Sequence, residues 1–272
     1  MTQAKPQEQR DIDTTNRILG GLQPYLFFEQ EITDFVAKRM FAQAEGIRNE
    51  VLRFVALATI YYSLDNPGRG SELMEEAIKL HPEDGVTWRQ FSLCTFWRRG
   101  PIAAREITRR SMDCVFSSSI ARDGLFYAMN SGDFDFMEEM YCRLDKSNKM
   151  DEVFSNGFER ERHDMEKGMG YVEIAKSSGK TDTIKRLAAL MFDKINLGQK
   201  LSAVNHLIDV SEYADETSLL YELHIPGVSP QTCASMNLKL IADRVEVGLL
   251  DWDVGAIFVS KLEEDDTNAS NS

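Results

Sequence analysis

Phe54-Val55-Ala56-Leu57-Ala58-Thr59-Ile60-Tyr61, the break Asn66-Pro67-Gly68-Arg69-Gly70, and the run from Met74 through Ala77 to Pro82 together decide the fold of this chain. Phe54, Leu57, Ala58 and Tyr61 recur at spacings of three and four, which puts them on one helical face. The small Ala58 lets a second helix approach, while Phe54 and Tyr61 fill the space on either side. Proline without a donor and glycine with its wider choice of φ break the helix over 66–70. Met74, Ala77 and Leu80 give the second helix its apolar stripe, and Pro82 follows its end.

The same template returns about 34 residues later. Trp88, Phe91, Ser92 and Thr95 take the places of Phe54, Leu57, Ala58 and Tyr61. Ala104, Thr108 and Ser111 follow in the second helix, with Phe116 in place of Pro82 and a break at Gly100-Pro101. A slipped third copy spans Ser118 to Lys146, carrying Leu125, Phe126, Met129 and the turn Ser131-Gly132-Asp133-Phe134. Period and large/small order resemble the tetratricopeptide repeat. That resemblance implies helix–turn–helix units stacked into a curved surface that holds other molecules and carries no chemistry of its own. The expected fold class is therefore all-α or mainly α, with stacked antiparallel helix pairs forming a short solenoid over 15–146.

Helical spacing continues outside the repeats. Ile32, Phe35, Val36 and Met40 form one stripe; Ile184, Leu187, Ala188, Met191 and Ile195 form another, as do Leu201, Val204 and Ile208. A longer helix is expected from Asp151 to Lys176, burying Phe154, Phe158, Met165, Met169 and Val172. Ser229-Pro230 starts a further helix with Leu238, Ile241, Val245 and Leu249 on its stripe. Leu219–Ile225 and Ala256–Val259 read as possible short strands that pair near the C-terminus. The polar stretch 145–151 marks a boundary before a mainly helical region, 151–262. The ends, 1–14 and 263–272, offer little apolar surface to bury and read as disordered.

Composition narrows the function. The chain has 272 residues and a formal charge of −13, which opposes binding to a phosphate backbone. Nucleic acid is therefore not an expected partner. No apolar run approaches the roughly 20 residues of a membrane span, and the first residues lack a signal-peptide core, so no membrane insertion is expected. Cys94, Cys114, Cys142 and Cys233 are widely spaced and read as reduced thiols, which points to a cytoplasmic location. The cluster Arg98, Arg99, Arg105, Arg109, Arg110 is either a solvated face or a site for an acidic protein.

Catalytic signals are weak, and no catalytic residue, metal or cofactor is assigned. Ser178-Gly179-Lys180-Thr181 ends like a phosphate-binding loop, but Ile174 stands where the first glycine is required. Glu159, His163 and Glu166 can share a helix face, with His206 and Asp209 on a later segment as further metal ligands. The dense alternation of charges around His163 is equally that of a solvated helix laced by ion pairs. His81 and His224 sit beside proline turns.

Within the resembled family, fixed positions of each first helix line a concave groove. Here they fall on Leu52, Val55, Thr59, Tyr62 and Ser63 in the first unit, and on Val86, Arg89, Leu93, Phe96 and Trp97 in the second. Val55 and Thr59 replace the Lys and Asn of the family's clamp for acidic tails, so that ligand is not expected. The partner-binding groove is assigned to Leu52, Val55, Thr59, Tyr62, Arg89, Leu93, Phe96 and Trp97. An apolar or amphipathic segment suits it, with Arg89 orienting the segment; the chain's own helices filling the groove are the competing reading. The expected function is thus a non-enzymatic adaptor or chaperone-like binder of a protein or peptide, in which a homo-oligomer remains open. The alternative is an enzyme or regulator whose activity lies in the C-terminal half, with the repeats for docking or oligomerisation. Ala58→Trp and Ala77→Trp should each lower unfolding free energy by roughly 1–3 kcal/mol through overpacking. Melting at the wild-type temperature would show that neither residue holds the small position of a repeat.

Overall fold

Short polar residues stand where the chain turns into helices, and their side chains accept first-turn N–H groups that have no partner within the helix. In a computed structural model of the chain, which describes residues 6–27, 30–155, 159–195, 205–213, 216–226, 228–251 and 253–261, these caps recur. Asn49 accepts from the Leu52 N–H at 3.0 Å, Asn66 from Arg69 at 3.2 Å, Asp84 from Val86 at 3.0 Å and Asp133 from Phe136 at 3.3 Å. The helices are α1 (Gln7–Leu26), α2 (Asp34–Glu45), α3 (Glu50–Ser63), α4 (Pro67–Leu80), α5 (Gly85–Ser111), α6 (Ser118–Asn130), α7 (Phe134–Lys146), α8 (Met150–Val153), α9 (Glu159–Ser177) and α10 (Thr181–Lys194). Strands β1 (Asn205–Tyr213) and β2 (Glu216–Pro226), helix α11 (Pro230–Glu246) and strand β3 (Val254–Lys261) complete the order. The protein is mainly α with a small C-terminal sheet.

Helix α5 is two arms. Gly100 has φ 86° and ψ 176°, a backbone region essentially closed to side-chain-bearing residues, and Pro101 follows it. The guanidinium of Arg110, at one end of α5, lies 5.4 Å from the ring centre of Trp88 at the other. An unbroken helix would hold them roughly 30 Å apart, so the arms fold back on each other. The pairs therefore begin at Glu50, Gly85 and Ser118, and their second helices at Pro67, Pro101 and Phe134. That is the expected period, including the third unit over Ser118 to Lys146.

Packing within and between the pairs is close. A Cβ on Gly70 would meet the Tyr62 ring at 2.5 Å, which is why glycine stands where α4 crosses α3. Ala58, Met74, Ala77, Phe91, Cys94 and Ile107 share one buried cluster. Arg98 is buried beside it and donates to the carbonyls of Tyr62 (2.8 Å), Leu26 (3.0 Å) and Tyr25 (2.8 Å), closing the C-terminal ends of α3 and α1. Asp11 of α1 accepts from the backbone N–H of Arg48 and Asn49 at the entry to α3.

In the C-terminal half, β1 pairs antiparallel with β2 and β2 parallel with β3, in the order β1-β2-β3, with Ile208 opposite Tyr221 and Leu223 opposite Phe258. The Tyr221 hydroxyl donates to the Asn130 carbonyl at 2.5 Å. One apolar cluster holds Leu125, Phe134 and Met137 together with Ile184, Leu187, Leu223 and Phe258. The stretch 145–151 runs from the end of α7 through a short turn into α8, and this core is continuous across it. On β3, the Asn237 amide accepts from the Phe258 N–H at 2.7 Å and donates to the Phe258 carbonyl at 3.0 Å.

Several expectations change. Residues 7–14, read as disordered, are helical in α1, because Asp11 and Thr15 are buried ahead of Ile18 and Leu22. The single helix expected from Asp151 to Lys176 is two, α8 and α9, with Phe154, Met165 and Val172 buried as expected; Phe158 lies outside the described residues. Ile208 belongs to a strand, not a helix, because it pairs in register with β2; Leu201 and Val204 lie outside the described residues. On α11 the buried side carries Cys233, Leu240 and Arg244, so Leu238, Ile241 and Val245 face outward. Phe35, placed on a stripe with Met40, is 74% exposed. The tail 263–272 lies outside the described residues. No described helix is long and apolar enough to cross a membrane.

Asp133 ties the two halves together. It is 1% exposed and lies 3.0 Å from Arg105 and 3.1 Å from Arg109 of α5, and 2.9 Å from Lys185 of α10. Burial pushes its carboxyl up, but Lys185 and Arg105 outweigh this and hold it below the usual carboxylate range. A carboxyl so lowered stabilises the fold above the ordinary carboxylate pKa and ceases to as pH falls through its own lower value. Asp133→Asn should cost about 3 kcal/mol at neutral pH, since it removes the carboxylate that Arg105, Arg109 and Lys185 share and leaves Arg105 only the more exposed Glu106. The gap to wild type, read by urea unfolding, should narrow as pH drops below about 4. A gap that stays constant down to acid denaturation would show that the charge is not what Asp133 contributes.

Candidate functional site

Helical spacing on the first arm of α5 turns Arg89, Leu93, Phe96 and Trp97 to one side, where α6 answers with Arg122, Asp123, Phe126 and Tyr127. Between them lies a cavity of about 310 Å³, closed further by Leu125, Met129, Met137 and Phe154, and by Asp164 and Met165 of α9. That volume is at the lower end of the range for small-ligand and anchor pockets, roughly 300–1,000 Å³. Its wall is aromatic and sulfur-rich, a surface that adapts to the shape of what it holds.

The aromatic rings brace one another. Phe96 stacks on Tyr127 at 5.1 Å and meets Trp97 edge-on at 5.3 Å and Phe126 at 5.4 Å. Trp97 in turn packs on Phe27, just beyond α1, at 5.1 Å. Phe126 remains 43% exposed. Burial, with Asp123 adding to it, pushes the Tyr127 phenol well above its ordinary range, so it stays neutral. Its hydroxyl lies beside that of Ser92 without a well-formed hydrogen bond.

Three of the charged groups at the mouth are paired. Arg89 Nε donates to Asp123 at 2.7 Å, and Arg122 Nη2 donates to the other oxygen of Asp123 at 2.9 Å. Arg122 also donates to the Val153 carbonyl at 3.3 Å. No serine, threonine or cysteine occurs among the described lining residues, and the arrangement sets an apolar wall beside a pair of guanidinium groups.

Half of the expected groove lies here and half does not. Arg89, Leu93, Phe96 and Trp97 line the cavity. Val55, Thr59 and Tyr62 are buried at 4%, 1% and 0% exposure, because Leu26 of α1 and the first arm of α5 pack over that face. The Tyr62 hydroxyl is hydrogen-bonded to Ser71 (2.8 Å) and Thr95 (2.9 Å), and Thr59 donates to the Val55 carbonyl. Leu52 packs against the α1–α2 cluster. For the first unit, the chain's own helices fill the groove. Missing from the expected set are Arg122, Asp123 and Tyr127 of α6. Phe126 and Met129 stand out in the third repeat, but nothing local says they face α5.

Other candidates resolve into structural roles. Lys180 binds Asp251 and Asp253 at 2.9 and 3.0 Å, and Gly179 ends α9 with φ 69°, so this segment is a helix stop. Arg162 draws Asp151 and Glu166 to itself, and His163 is exposed; no cluster with metal-ligand geometry occurs among the described residues. His206 and Asp209 lie on β1, not on a helix facing α9. Of the arginine cluster, Arg98 and Arg105 are buried, Arg109 serves Asp133, and Arg110 forks onto Glu75 at 2.7 and 2.8 Å. These four are ties between helices, whereas Arg99 is exposed to solvent. Burial pushes the Cys94 thiol up to about 12, which removes it as a nucleophile.

No protein-family model, curated protein or solved structure matches the chain. The site must therefore be read from its own chemistry. Tyr62→Ala should cost about 3–5 kcal/mol as a core truncation, whereas half-exposed Phe126→Ala should change stability by about 1 kcal/mol or less. Calorimetric melts of both variants decide this, and equal losses would mean that Phe126 is core.

Proposed function

We propose that this chain is a non-enzymatic binding module of tetratricopeptide-like build, an adaptor or chaperone-like protein that holds an apolar or amphipathic segment of another protein. The observation that carries this reading is the cavity between the first arm of α5, α6 and α9. There the second unit's expected groove residues meet an aromatic and methionine wall around a half-exposed phenylalanine. Interface energy concentrates in Tyr, Trp, Phe and Arg held in such pockets. Arg105, Arg109 and Lys185 around Asp133 brace the second arm of α5 against α7 and α10, beside the wall to which its first arm contributes.

The site's chemistry favours holding over turnover. Arg89 and Arg122 are both paired with Asp123, and its tyrosine is kept neutral. A charge placed at the exposed edge of the wall should repel an apolar segment without disturbing the core. Affinity capture from the cell of origin with wild-type and Phe126→Glu baits, quantified by mass spectrometry, tests the proposal. The expected result is at least one protein retained by wild type and lost by the variant, with both baits melting alike. Identical capture by the two baits would remove the cavity from the binding site.

A further inference from the structure

Few polar groups around the cavity can meet a ligand, and this restricts what can occupy it: the unpartnered Trp97 Nε1 and Tyr127 hydroxyl are shut off from solvent. Arg122 serves Asp123 and the Val153 carbonyl, and the Ser92 hydroxyl donates to the Arg89 carbonyl. No lining residue belongs to a strand, so no sheet edge is offered. An extended peptide pressed into this wall would bury N–H and C=O groups that find no partners, which is strongly unfavourable. A helix brings its backbone bonds already made and presents only side chains.

Charge sets the second restriction. Arg89 spends Nε on Asp123, its side chain is 42% exposed, and its Nη1 and Nη2 have no hydrogen-bond partner among the described residues. Because Asp123 is shared with Arg122, these three groups carry one net positive charge at the α5–α6 side of the mouth, set against the negative Asp164 on the α9 side of the same cavity. A guanidinium edge with two free donors matches a carboxylate.

We infer that the occupant is an amphipathic helix of a partner protein that seats a large apolar side chain in the cavity and sets an acidic residue, one turn away, against Arg89. This rests on the protein-binding reading above. A carboxylate at a spacing of three or four from the anchor falls on the same helix face, so one rigid element satisfies both the wall and the cation. The chain's own charge of −13 makes the local cation at Arg89 the feature that discriminates, since the rest of the surface is biased against an acidic ligand.

The probe is a displayed library of alanine-rich helices about four turns long, randomised along one face and selected on the full chain. A matched library with proline at its centre supplies non-helical ligands. Helices with Phe, Leu, Met or Trp and an Asp or Glu three or four positions away should be enriched. Their synthetic peptides should bind about tenfold more tightly than versions with Lys at the acidic position, read by fluorescence anisotropy. Arg89→Glu should invert that preference, and Arg89→Met should abolish it while leaving the apolar anchor selected. Circular dichroism checks that both variants fold. Enrichment from the proline library, or equal binding of Glu and Lys peptides, overturns the inference but leaves protein binding standing. No cavity-dependent enrichment from either library, judged against Phe126→Glu, overturns both.

Discussion

A single carboxylate, that of Asp133, is the point on which the two halves of this protein are hung. It caps α7, and it gathers Arg105 and Arg109 from the second arm of α5 and Lys185 from α10. Such a group is expensive to bury alone and becomes tolerable only when its partners arrive from elements remote in sequence. Once they do, α5, α7 and α10 are held to one another through this carboxylate. The shared apolar cluster from Leu125 to Phe258 then closes around that arrangement. The polar node and the core are not alternatives, because one sets the geometry and the other supplies most of the burial.

The second determinant is the reversal at Gly100. Its backbone conformation brings the two arms of α5 together, and it follows closely on Arg98, whose three backbone acceptors lie on α1 and α3. A hairpin helix pair thereby gains a guanidinium that closes two neighbouring helix ends. The same turn presents Phe96 and Trp97 to α6 on the opposite side. What stabilises the first unit and what shapes the cavity are thus consecutive residues of one arm.

The repeats could be read from the chain because their signal is local and periodic. Phe54, Leu57, Ala58 and Tyr61 report a helix face, and Gly100-Pro101 reports a reversal, without knowledge of anything distant. The cavity was legible by half for the same reason. Arg89, Leu93, Phe96 and Trp97 follow from position within a unit, whereas burial of Val55, Thr59 and Tyr62 depends on α1 and on Arg98, far away in sequence. Strand β1 was missed because Ile208 falls at a helical spacing in the sequence, and pairing with β2 is a non-local fact. The outward face of α11 was misjudged similarly: an apolar stripe shows that a face exists, but not that a neighbour covers it.

The Asn237 side chain pairs with both the N–H and the carbonyl of Phe258, so it imitates one residue of a missing strand. The strand it guards includes Ala256-Ile257-Phe258-Val259, apolar and β-branched, the kind of segment that recruits copies of itself when its edge lies open. An amide supplied by the crossover helix occupies that edge at its midpoint, and Ser260 donates to the Val228 carbonyl beyond it. The sheet is thereby kept from growing on this side, and the protection against aggregation travels with α11: loosening that helix uncovers the edge at the same moment.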